Sequence, residues 1–373
     1  MKLLIAIISF TMLTGCQSSS KNTADHDGTY SFYIGTYTGG DSHGIYKGML
    51  REDGTLDTVV LAAELPNPSF LALSSDGKYL LAVSEVSSKE KVGSVVSYST
   101  KGDSLTLINE TTSGGAHPCF VTVNEAGYVL VANYTGGNVA LVKLNEGGEL
   151  GDLLDLQQHK GSDITDRQKG PHAHSAWFDP AGDGIITVDL GTNELWFSAI
   201  DTKQNILVPS DPQTLAMAPG AGPRHLVFHP NGKWIYVVNE LDCTVTLVKK
   251  RDKGKFEVAG SVTTLPEGYT ESNSCADIHI SSDGKFVYAS NRGHNSIAIF
   301  NVNPGDGSLN PAGHESTRGS TPRNFSLSPD GKFLLVANQR SNNIVSFRRI
   351  PESGMLMYVD QIEAPKPVCI RFN

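Results

Sequence analysis

An all-β chain closed into a seven-bladed β-propeller is predicted by three features of the 373-residue sequence. A unit of about fifty residues recurs along it. Each copy holds two apolar runs joined by a glycine turn, which is the pattern of a β-hairpin. The two chain ends carry complementary halves of one further copy. Composition agrees. Thirty-eight glycines exceed the usual ~7% and suit many tight turns between short strands, while 39% hydrophobic and 18% charged residues make a globular balance rather than a disordered one.

In chain order, Lys2 and the apolar run from Leu3 to Leu13 form the positive start and short apolar centre of a secretory signal, too short to span a bilayer. The run ends in Leu13-Thr14-Gly15-Cys16, which matches a bacterial lipobox. Residues 1–15 are therefore expected to be removed and Cys16 to carry a lipid. The bland alternative is an ordinary signal with an incidental cysteine. Residues 16–26, polar and Ser-rich, read as a flexible tether, and 27–373 as the propeller domain. The expected location is the periplasmic face of the envelope. Gln17 after the cysteine, where Asp would mark inner-membrane retention, favours the outer membrane.

The repeats begin at Pro68, Pro118, Pro171, Pro223, Cys275 and Pro322, with turn glycines at 77, 127, 182, 232, 284 and 331. Runs such as KWIYVVN and KFLLVAN alternate or are continuously apolar, as strands inside a buried sheet are. Two more strand-like runs follow each hairpin, for example VTLVKKR from Val245 and KFEVAGSVTTL from Lys255. Four antiparallel strands per fifty residues make a propeller blade. PVCIRF from Pro367 matches a first strand with no turn after it, and DGTYSFYIGTYT from Asp27 matches the other half. The C-terminal strand is thus expected to complete the N-terminal blade and remove an exposed sheet edge.

In such a ring the start of each first strand and the end of each second strand meet at one mouth of the central channel. Counting eight residues back from the turn glycines reaches Ser69, Cys119, His174, Arg224 and Arg323; counting forward reaches Glu85, Glu240 and Arg292. Asn239 and Asn291 precede the forward positions, and His172, His225 and His279 flank the same region. Grouped arginines suit an anionic ligand, because the guanidinium fork matches carboxylate or phosphate. A glutamate among them stays ionised, available as a base or for polar contact. Bland readings stand beside these. The asparagines cap turns, Arg224 and Glu240 pair only with each other, and His229 and His279 bond within first strands.

Cys119, Cys243, Cys275 and Cys369 read as small buried residues, and no spacing suggests zinc. A net charge of -9 argues against nucleic acid. No P-loop or dinucleotide-binding fingerprint is present.

GPRHLVFHPNGKWIYVVNELDCTVTL (Gly222 to Leu247), ASNRGHNSIAIF (Ala289 to Phe300), PHAHS (Pro171 to Ser175) and TPRNFSLSPDGKFLLVANQ (Thr321 to Gln339) resemble the seven-bladed lactonase family, which includes propeller-type 6-phosphogluconolactonase and carboxy-muconate cyclase. The resemblance runs from about Tyr30 to the C-terminus. It implies an enzyme of carbohydrate metabolism that needs no metal or other cofactor and opens a small anionic or sugar lactone at the channel mouth. By the motifs of the cyclase branch, His174, Arg224, Glu240 and Arg292 are candidate catalytic residues. Arg323, His172, His225, Asn239, Asn291 and Glu85 are candidates for binding substrate. Two departures qualify this. Asp277 stands where relatives commonly have Glu, and an export signal sits oddly with a phosphorylated cytoplasmic substrate. A cyclase acting on a carboxylated diene and a non-catalytic binding platform of the envelope are the alternatives.

Overall fold

Each repeat folds into one four-stranded antiparallel sheet, and there are seven such sheets. The computed structural model describes residues 28–373 except 89, 103, 181, 183 and 252–254; the expected signal peptide, Cys16 and the whole tether lie outside the described residues. Blade 1 begins with the short strand Leu71–Leu73, and blades 2 to 6 with Pro118–Val123, Ala173–Phe178, Pro223–Phe228, Cys275–Ile280 and Pro322–Leu327. Blade 7 is built from both ends. Its innermost strand, Pro367–Phe372, pairs with Tyr30–Thr36, setting Phe32 opposite Phe372 and Ile34 opposite Ile370. The innermost strands pack in sequence around the ring, and Pro367–Phe372 touches both blade 6 and blade 1.

The continuous apolar runs have a simple cause. Every blade is sandwiched between two others, so both faces of its second strand are buried. In Tyr79–Ser84, Leu80 and Ala82 join a cluster with Tyr33, Ile45 and Cys369 of blade 7, whereas Leu81 and Val83 join Val129, Val131 and Ala140 of blade 2. Alternate side chains therefore serve alternate neighbours, and no polar face is needed.

Turns close the blades by a specific device. Gly28, Gly77, Gly127, Gly232, Gly284 and Gly331 all have φ between 69° and 79°. The residue preceding Gly77, Gly127, Gly232, Gly284 or Gly331 is not left-handed, so these hairpins need one positive φ rather than the two of the tightest primed turn. Ser74, Ser281 and Ser328 brace three of them, each hydroxyl bonding an Asp two residues on. His229, expected within a first strand, instead follows Pro223–Phe228 and bonds the turn of the next blade through Gly284 O. All four described cysteines are buried free thiols, Cys243 and Cys275 included.

Candidate active site

Two local features deliver side chains to the mouth. The first is a β-bulge at the start of the inner strands. Pro223 pairs with Asn239 and His225 with Val238, so Arg224 is the extra residue; His174, Arg323, Cys119 and Val368 are extra residues in the same way. A bulged residue is released from the alternation of the strand and re-aimed, here toward the channel. The second feature holds the other partner. The residue before the inner-strand proline is left-handed at Asn67, His117, Gly222 and Thr321, with φ of 44°, 53°, 64° and 62°. Its carbonyl accepts the backbone N–H of Glu85, Tyr134, Glu240 or Gln339, the residue just beyond the second strand. At Gly222 an added Cβ would stand 2.5 Å from Leu241 Cγ, so close packing as well as the left-handed backbone favours glycine there.

Glu240 is the centre of the mouth. Its Oε2 lies 2.8 Å from Arg292 Nη2 and 3.1 Å from Arg224 Nε, and its Oε1 accepts from Arg167 Nη2 at 3.1 Å. The Arg224 contact is ionic rather than a directed hydrogen bond, since Arg224 Nε has no aligned acceptor. Burial by itself would raise the Glu240 pKa. Arg292, Arg224, Arg167 and Arg323 outweigh it and hold the carboxyl at about 2. Arg224 is pushed down to about 10 by burial and by Arg292 and Arg323. Two buried guanidiniums are thus fixed side by side, Arg224 by Ala276 O and Arg292 by Cys275 O at 2.7 Å.

His174 is buried beside them. Its ring meets those of Tyr134 and His225 edge-on, each at 5.4 Å between centroids. Burial, then Arg224, His225 and Arg323, drive its pKa well below 6.5, so the imidazole is neutral. On the opposite wall Arg323 Nη2 donates to Tyr37 Oη at 3.0 Å, and Tyr37 donates to Glu85 Oε2 at 2.9 Å. No carboxylate lies within ion-pair distance of Arg323 among the described residues. Between the walls Ser69, Glu85, Cys119, Arg224 and Arg323 line a narrow, partly open cavity with room for about one water, and the buried Ser69 hydroxyl has no partner among the described residues.

The other candidates fall elsewhere. His225 is tied down beneath the mouth, its Nδ1 2.8 Å from Asp277 Oδ1 and its Nε2 toward Arg224. Asp277 also receives His279 and Asn324, and Asn324 accepts the Ile370 N–H, so this belt links blades 4, 5, 6 and 7. His172 stacks on Tyr134 at 4.5 Å and bonds its carbonyl, supporting the wall without reaching Glu240. Asn239 and Asn291 correct the expectation of substrate contact. Both are fully buried within the sheets, Asn239 bonding Thr244 and Thr246 of its own blade and Asn291 bonding Ser296 of its own blade and Thr264 at the outer end of blade 4. Buried amides in a dry sheet call for hydrogen bonds, and neighbouring hydroxyls supply them to Asn239 Nδ2 and to both amide atoms of Asn291, while Asn239 Oδ1 has no partner among the described residues. Arg167 and Tyr37 were not reached by counting from the turns. Arg167 sits on the 159–172 strap between blades 2 and 3. The wider spacing of the turn glycines there, from 127 to 182, is the only trace of it in the sequence. Among the described residues no group of three His, Cys, Asp or Glu side chains is placed to hold a metal ion.

Residues 31–372 match the model of the lactonase family of seven-bladed β-propellers. The chain belongs to that family. It is a lactonase-type enzyme, a carboxylic ester hydrolase. A 6-phosphogluconolactonase of Bacillus subtilis is 36% identical over 349 residues, covering 92% of this chain and 98% of the relative. One from Formosa agariphila is 39% identical over 268 residues, 70% of this chain and 75% of its own length. Among solved structures, the periplasmic gluconolactonase of Pseudomonas aeruginosa superposes with a TM-score of 0.87 at 30% identity, over 92% of this chain and 99% of that one.

Proposed function

We propose that this lactonase hydrolyses a gluconolactone-type sugar lactone, 6-phosphogluconolactone or its unphosphorylated counterpart, at the arginine-lined mouth. The observation that carries the reading is the pair of buried guanidiniums held beside a neutral, buried histidine. Arg224 and Arg292 would act on a lactone carbonyl oxygen as it gains negative charge, and preformed donors in a dry site act most strongly on developing charge. Water adds to the carbonyl carbon and gives its proton to His174. The ring C–O bond then breaks, and the ring oxygen takes the proton back, leaving an open hydroxy acid.

His174 is favoured over Glu240 as the base because both carboxylate oxygens of Glu240 are already engaged by Arg167, Arg224 and Arg292. Glu240 instead sets the two arginines in place. The neutral His174 has a ring nitrogen with no partner among the described residues. Arg323, with donors left over from Tyr37, supports a substrate hydroxyl or the carboxylate as it forms.

The test is acid release from both lactones, corrected for spontaneous opening. Wild-type protein should accelerate at least one. Arg224→Ala should lower kcat by about 100- to 1,000-fold, the effect of removing one oxyanion donor, with melting unchanged enough to show a folded ring. Full activity in both Arg224→Ala and His174→Ala would remove the assignment. If wild type opens neither lactone, unsaturated polyacids tested in parallel decide for the cyclase chemistry.

The leader and lipobox support a further reading, that the enzyme is exported and tethered through Cys16 at the periplasmic face of the outer membrane. Labelled fatty acid should enter the wild-type chain and not Cys16→Ala, which should leave the membrane fraction. Label in both variants would rule the anchor out.

A further inference from the structure

Taking this lactone reading of the site as its basis, we propose that Arg167 is the residue that recognises a phosphate on the substrate, making the strap that carries it the determinant of phosphorylated over unphosphorylated lactone. Three arginines contact Glu240, but they are not equivalent. The side chains of Arg224 and Arg292 are 4% and 12% exposed, whereas that of Arg167 is 54% exposed at the rim. Arg167 uses a single nitrogen, Nη2, for both of its bonds, to Glu240 Oε1 at 3.1 Å and to Tyr134 Oη at 2.7 Å. Its Nε and Nη1 make no hydrogen bond among the described residues, so their N–H groups are left to meet a ligand.

The arm is fixed before any ligand arrives. His159 Nδ1 bonds Asp189 Oδ2 at 2.7 Å while stacked on Trp196, Gln168 Nε2 donates to Leu190 O at 3.0 Å, and Asp163 accepts the Gly220 N–H at 2.7 Å. These contacts pin both ends of the short turn Asp166–Gln168. A pre-set guanidinium loses little entropy on meeting its anion.

Charge and solvation together choose the ligand and the position. Four guanidiniums, Arg167, Arg224, Arg292 and Arg323, face two carboxylates at the mouth, Glu85 and Glu240, with Asp277 one layer deeper among His225, His279 and Asn324. The positive excess suits a phosphate monoester, which carries about −1.5 to −2 at pH 7. Full burial of such a group is costly. It belongs at the half-exposed rim, leaving the uncharged carbonyl to the buried pair Arg224 and Arg292. Glu240 lies between the two places and fixes their separation.

The experiment compares kcat/KM for 6-phosphogluconolactone and gluconolactone in wild type, Arg167→Met and Arg167→Lys. Wild type should prefer the phosphorylated lactone. In Arg167→Met that preference ratio should fall by about 10- to 100-fold, the worth of one charge-assisted hydrogen bond, chiefly through KM; Arg167→Lys should restore part of it. A wild type with no preference, or an Arg167→Met ratio equal to wild type, overturns the proposal. The second result would mean that Arg167 acts only on Glu240. Calorimetric titration with 6-phosphogluconate and gluconate reads the same contrast without turnover. A protein that opens neither lactone yet binds the phosphorylated acid through Arg167 would sink the lactonase reading and sustain this one. Binding of neither acid, or of both alike, would sink this one.

Discussion

At the residue scale the mouth turns on which ionisable groups are held charged and which neutral. Glu240 is ionised because four arginines outweigh its burial, and His174 is neutral because burial and the same arginines act together. A base of this kind works only unprotonated, so kcat/KM should stay level on acidification past 6.5 and fall at lower pH as His174 takes up a proton. A pH–rate profile checks this. An acid limb centred at or above 6.5 would point to a different base. Glu240→Gln separates positioning from proton transfer. It keeps the shape, removes the charge that gathers Arg224 and Arg292, and should lower kcat without moving the acid limb.

At the scale of strands and blades, the belt of His225, Asp277 and Asn324 ties neighbouring blades together, and its ionisation couples to stability. Burial, then Arg224, pulls the His225 pKa down to about 4 against the opposing effect of Asp277. Between about 4 and 6.5 the unfolded chain therefore binds a proton that the folded chain refuses, so stability rises with pH across that window and is lost as pH falls through it. The shift corresponds to on the order of 3 kcal/mol. Urea midpoints from pH 4 to 6.5 should show the slope, and His225→Phe, which suits the surrounding Phe70, Phe120 and Trp177 rings, should flatten it. An unchanged slope would assign it to other groups. The outer hairpins supply another test. Gly54 has φ 96°, and a Cβ there would stand 2.3 Å from the buried Phe333 ring of blade 6. Gly54→Ala should cost about 2–4 kcal/mol from strain and overpacking. Gly40→Ala, also at positive φ but in open space, should cost the strain alone. Equal losses in urea denaturation would show that the ring contact contributes nothing.

For the whole molecule, closure is the decisive interaction. Residues Pro367–Phe372 supply the innermost strand of blade 7, and the Ile370 N–H is held by Asn324 of blade 6. Removing residues 367–373 would expose the edge of Tyr30–Thr36 and leave blades 1 and 6 without a neighbour on the channel side. Loss of near-ultraviolet circular dichroism and aggregation on size exclusion are the expected outcome. A monomeric, cooperatively melting truncation would show that the six remaining innermost strands suffice.

The sequence alone determined the architecture of this protein. Sheet formation, turn position and ring closure are encoded locally and repeatedly, in apolar runs, positive-φ glycines and a unit split between the chain ends. It also placed His174, Arg224, Glu240, Arg292, Arg323 and Glu85 at one mouth, because a fixed count from each turn is a fixed distance along a strand. Only the tertiary structure decided how each of them is held there. Asn239 and Asn291 sit one residue from mouth positions yet face inward, since a single step along a strand reverses the side chain. His225 was drawn into the belt by Asp277 of the next blade, and Glu240 is held ionised by arginines from blades 4 and 5 and from the strap. Those interactions join residues far apart in the chain. Arg167 was invisible for the same reason: it belongs to an irregular strap whose path is fixed by contacts with blade 3, and no periodicity records where such a segment ends.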